Sequence, residues 1–108
     1  MNLDWTKKEF EAYVLIYAAH CNHIEDIAEQ NYIRTKVGET IFHRIHTEVV
    51  VDSDQVNLNK IQRFISENQF SQEEKETLLR SIKQVLFADG SVDVIEKKVF
   101  SILKKIID

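Results

Sequence analysis

Residues 71–107 read SQEEKETLLRSIKQVLFADGSVDVIEKKVFSILKKII, and this stretch decides the fold. Ser71-Gln72-Glu73-Glu74 has the capping-box spacing, in which a hydroxyl and a carboxylate each satisfy a backbone amide of the first turn. Leu78, Leu79, Ile82, Val85, Leu86 and Phe87 then recur at helical spacing. Asp89-Gly90 stops that helix, because Gly accepts the left-handed conformation without a steric penalty. Asp93-Val94-Ile95-Glu96 opens another. Val99, Phe100, Ile102, Leu103, Ile106 and Ile107 give this last helix an apolar face wide enough for burial on more than one side.

The same signals extend to the rest of the chain. Thr6-Lys7-Lys8-Glu9 is a second capping-box match, and a helix to about His20 carries Phe10, Tyr13, Val14 and Tyr17 on one face. Ile24 to Val37 reads as a helix, with Gly38 as its stop. Ile41, Phe42, Ile45 and Val49 space a third, ending near Val51 before Asp52-Ser53-Asp54. The β-branched run Val49-Val50-Val51 could form a strand, but no second strand is available to pair with it. Asn57 or Asn59 opens a fourth helix through Leu58, Ile61, Phe64 and Ile65. The expectation is an all-α chain, a single compact bundle of about six helices spanning 1–108.

Composition agrees. The chain has 108 residues, 0 Pro and 2 Gly, which favours long helices over a turn-rich β fold. The net charge of −4 argues against a nucleic-acid binder, which needs a basic surface to displace counterions. The charge is uneven, −5 over residues 1–54 and +1 over residues 55–108. Cys21 is the single cysteine, so no internal disulfide forms. Asp4, Lys7, Lys8, Glu9 and Glu11 interrupt any signal-peptide core, and no stretch approaches a membrane span. A cytoplasmic location without membrane insertion is expected.

The segment from Val85 to Phe100 resembles the helix–turn–helix signature of the tellurite-resistance TerB-like family. Ala88, Asp89, Gly90, Val92, Asp93 and Glu96 carry the resemblance. The stretch from Ala19 to Glu29 reads as a degraded copy, with two extra residues and Cys21-Asn22 in place of Asp-Gly. The resemblance implies an all-helical bundle, with roles in metal or stress response for some members.

Asp89, Asp93 and Glu96 are hard oxygen ligands that could converge on a divalent cation such as calcium. The spacing is not that of an EF-hand. Capping explains much of the same acidity: Asp93 suits an N-cap, Glu96 its N3 partner and Val92 a hydrophobic staple. Asp89 is left over by that account. His20, Cys21, His23, His43 and His46 include two i,i+3 histidine pairs, yet nothing matches a zinc or thiol-nucleophile motif. His43 and His46 read as surface or boundary residues.

No pattern asks for an enzyme. Two functions are expected. One is a TerB-like module that binds a protein partner in stress- or metal-related pathways, with a weak cation site at the acidic turn. The other is a structural or self-associating helical domain without metal, for which Trp5, Phe70 and the last helix are interface candidates.

Overall fold

The protein was analysed as a computed structural model that describes residues 5–20, 27–86 and 94–107, apart from the side chains of Ala28, Ile95 and Glu96. Six helices make up the described residues, with no strand among them: α1 (Lys7–His20), α2 (Ile27–Val37), α3 (Glu39–Val51), α4 (Asp54–Glu67), α5 (Gln72–Leu86) and α6 (Val94–Ile107). The radius of gyration of 12.7 Å matches the ~13 Å of a folded chain of this length.

α1 is the central helix. Its run from Ala12 to Ala19 is buried on every side rather than along the single face that Phe10, Tyr13, Val14 and Tyr17 suggest. The eight residues AYVLIYAA carry no charge, so no direction of the helix demands water. α2, α3, α4 and α5 pack around it, and α6 covers α4 and α5. The amphipathic outer helices contribute Phe42, Ile45 and Val49 from α3, Ile61 and Phe64 from α4, Ile82 and Val85 from α5, and Leu103 and Ile107 from α6.

Both capping boxes form. Thr6 N–H donates to Glu9 Oε1 at 2.9 Å and Glu9 N–H to Thr6 Oγ1 at 3.1 Å. Ser71 and Glu74 repeat the exchange at 3.0 Å in each direction. Val49-Val50-Val51 completes α3 as helix. The start of α4 differs from expectation. Ser53 is its N-cap, accepting from Val56 N–H at 3.3 Å, and Asp54 lies in the first turn. Asn57 is instead a buried residue inside the helix. Trp5 and Phe70 are half-buried and pack against the core. Trp5 lies 4.5 Å from Tyr13 and 5.9 Å from Phe64 between ring centroids, and Phe70 lies 5.6 Å from Phe10.

Gly38 alone separates α2 from α3. Its φ of 91° and ψ of 155° belong to a region essentially reserved for glycine. Its amide closes α2 on Arg34 O at 2.8 Å, and its carbonyl opens α3 by accepting from Phe42 N–H at 3.0 Å. A Cβ there would meet nothing within 4 Å, so the cost of a side chain is conformational rather than steric. Gly38→Ala is expected to destabilise the fold by about 1–3 kcal/mol, measured by urea denaturation.

Candidate functional site

The corner between α3 and α4 gathers polar groups beside the apolar core. α3 has no basic residue in its last turn, and Asp52 caps its C-terminus, with Asp52 N–H donating to Glu48 O at 3.3 Å. A helix C-terminus already carries partial negative charge. Glu48, Asp52 and Asp54 add three carboxylates to it.

Lys60 offsets Glu48 and Asp52 from behind. Lys60, on α4, is buried, and its Nζ lies 2.6 Å from Asp52 Oδ2 and 3.4 Å from Glu48 Oε1. Burial works to lower the Lys60 pKa, but the hydrogen bonds and charges of Asp52 and Glu48 outweigh it, and the net shift is upward. The Tyr13 hydroxyl, from the core helix, reaches Asp52 Oδ2 at 3.0 Å and also Asn57 Oδ1. Its single proton serves one acceptor at a time. Asn57 Nδ2 donates to Val49 O at 3.4 Å, which ties the network to α3. Burial first, then the Asp52 carboxylate, pushes the Tyr13 pKa far up. Tyr13 therefore holds its proton and acts as a fixed donor, not as an acid or base near neutrality.

The network has an alkaline signature. Both groups have folded-state pKa values above their unfolded ones, so the stability they contribute is complete below the unfolded values and is lost as pH rises. Stability should hold through neutrality and fall above about pH 10, where unfolded tyrosine ionises. Tyr13→Phe should flatten the onset of that fall. A thermal midpoint that tracks wild type from pH 9 to pH 11 in Tyr13→Phe would contradict this.

In front of the network lies a cavity of about 420 Å³. Tyr17 and His20 line it from the end of α1, Asp52, Asp54 and Asn57 from the corner, and Val99 and Ile102 from α6. The Tyr17 hydroxyl donates to Asp54 Oδ1 at 2.6 Å and so orients that carboxylate. Ile102 remains 45% exposed, a large apolar residue facing water. Nearby, at the end of α3, Val50 and Val51 are 47% and 79% exposed. The groove thus combines carboxylates with apolar surface.

Asp89 and Asp93 lie outside the described residues, as do Cys21 and His23, and Glu96 lies on α6 without a described side chain. His43 is exposed, with Nε2 2.7 Å from Glu39 Oε1. The His46 ring stacks on Phe42 at 5.4 Å. Among the described histidines, His20 lines the groove. Among the described residues, no three His, Cys, Asp or Glu side chains group so as to hold a metal ion. Glu29, at the end of the stretch read as a degraded copy, is fully buried in α2. No described helix is long and apolar enough to cross a membrane.

At the opposite end of α1, Lys7 clasps α5: its Nζ lies 2.7 Å from Glu74 Oε2 and donates to Gln69 O at 3.0 Å. The Lys7 hydrogen bond, then the Ser71 amide, hold the Glu74 carboxyl below its usual range. These groups close a capped helix and serve the fold.

Sequence reading did not find the groove. Its residues come from three separate segments, and Tyr17 reads as an ordinary core position. The available signal was Asp52-Ser53-Asp54, where one helix ends and the next begins within two residues. Compared with protein-family models, with curated proteins and with solved structures, the chain matches none.

Proposed function

We propose that this chain is a TerB-like helical module of stress- or metal-related pathways that acts by binding a protein partner, without catalysis. Its recognition surface is the groove between the α3–α4 corner, the end of α1 and α6. The partner presents a cationic segment with apolar neighbours. The observation that carries this reading is the exposed Ile102 in the same cavity as Asp52 and Asp54. Apolar surface drives association roughly in proportion to the area it removes from water. Carboxylates beside it select for Lys or Arg and repel acidic segments. Asp52 is already oriented by Tyr13 and Lys60, and Asp54 by Tyr17, so less side-chain freedom is lost on binding.

The test uses a short fluorescein-labelled peptide of alternating Arg and Leu, with a Glu/Leu peptide of the same length as control. Anisotropy should report saturable binding of the Arg/Leu peptide alone, weakening as salt rises. Ile102→Ser with Asp54→Asn should weaken it by about tenfold or more, equivalent to roughly 1.4 kcal/mol. Equal binding of both peptides would sink the proposal.

A further inference from the structure

Lys7, Arg34, Lys36, Arg44, Lys60 and Arg63 each pair with a carboxylate. The other eight Lys and Arg form no ion pair among the described residues, and Arg80, Lys83 and Lys104, on α5 and α6, are three of them. These three line one cavity of about 430 Å³ with Leu79, Phe100, Gln72 and Glu76. Leu79 and Phe100 are half-buried and form its apolar floor. Glu76 is its one carboxylate and accepts from Gln72 Nε2 at 3.5 Å. Gln72 and Glu76 begin α5, while Lys104 ends α6, so the two helices run antiparallel along this groove.

The basic groove is the chemical counterpart of the acidic one. Unpaired cations over an apolar floor on one face answer carboxylates beside exposed Val51 and Ile102 on another. α6 separates the two. Its buried Leu103 and Ile107 face the core, Val99 and Ile102 flank them toward the acidic groove, and Phe100 and Lys104 flank them toward the basic one. Because the grooves lie on different flanks of one helix, a chain cannot satisfy its own pair.

We infer that the cationic partner of the acidic corner is the α5–α6 face of a second copy of this chain. This rests on the reading of the acidic groove given above. The contact is heterologous: Val51 and the corner carboxylates of one copy meet Phe100, Leu79, Arg80, Lys83 and Lys104 of the next. A heterologous contact leaves one acidic and one basic groove open at the ends, so association grows with concentration unless it closes into a ring.

Two exposed sets of substitutions test this by sedimentation velocity. Arg80→Glu with Lys83→Glu spoils the basic groove, and Val51→Lys spoils the acidic corner. Wild type should show a mass that rises with protein concentration and falls with salt. Each variant alone should sediment as a monomer of 12.7 kDa. An equimolar mixture should give one species of twice that mass, because each variant keeps the surface the other lacks. Circular dichroism melts check that both variants fold. A wild type that stays monomeric at every concentration, or a mixture that stays monomeric, would overturn the inference. Binding of the Arg/Leu peptide by the Arg80→Glu, Lys83→Glu variant is measured alongside. If that peptide binds while wild type is monomeric, the self-contact falls and the acidic groove stands. If neither occurs, both fall.

Discussion

Phe64→Ala should lower the unfolding free energy by about 3–5 kcal/mol, the cost of emptying a buried aromatic site. Phe64 is buried, and its ring stacks on Phe10 at 4.4 Å. Trp5 lies 5.9 Å away and Phe70 6.0 Å away, both between centroids. The four rings join the start of α1, the last turns of α4 and the α4–α5 connection, so the void would have walls on three segments. Those walls are held by the Lys7 clasp and the Ser71 capping box, which limits their collapse. A domain of this size is stable by about 5–15 kcal/mol, so the loss is a large share of the whole. A thermal midpoint lower by roughly 10 °C or more is expected. The single Trp5 reports the site directly: its native emission should move to the red as water enters. A loss under about 1 kcal/mol would show that the ring cluster is peripheral to stability.

The second large effect is at Asp52. Asp52→Ala should cost about 3 kcal/mol, the low end for breaking a buried ion pair. It removes an acceptor from the Tyr13 hydroxyl and the nearer carboxylate from Lys60. Glu48 stays 3.4 Å from Lys60 Nζ, which keeps the cost from the top of the range. The penalty comes mainly from leaving the Lys60 ammonium poorly compensated. Lys60→Met therefore should offset part of it, and the double variant should be more stable than Asp52→Ala alone. Strictly additive losses in urea denaturation would refute this coupling.

The helical layout was legible because its signals are local. Capping boxes at Thr6 and Ser71, the glycine stop at Gly38 and the 3.6-residue spacing of Ile41, Phe42, Ile45 and Val49 depend on neighbours within one or two turns. The depth of burial of α1 was less legible. A single helix records which faces are apolar but not how many neighbours surround it, and Ala12, Leu15 and Ala18 are buried because four helices pack on α1. The start of α4 was misplaced because Asp52-Ser53-Asp54 reads as a polar loop, whereas the three residues divide into a C-cap, an N-cap and a first turn. Only the Asp52-Ser53-Asp54 part of the groove left a sequence signal, since His20, Asp54 and Ile102 meet only through tertiary packing.

The one-residue joint at Gly38 sets a limit of a different kind. α2 ends at Val37 and α3 begins at Glu39, so there is no slack to absorb an added or deleted residue. Each residue of an α-helix turns the chain by about 100°. An insertion beside Gly38 would therefore rotate Phe42, Ile45 and Val49 away from α1 together or force α2 out of phase. At this elbow the number of residues is as strongly constrained as their identity, and natural variation in length should be found at other joints.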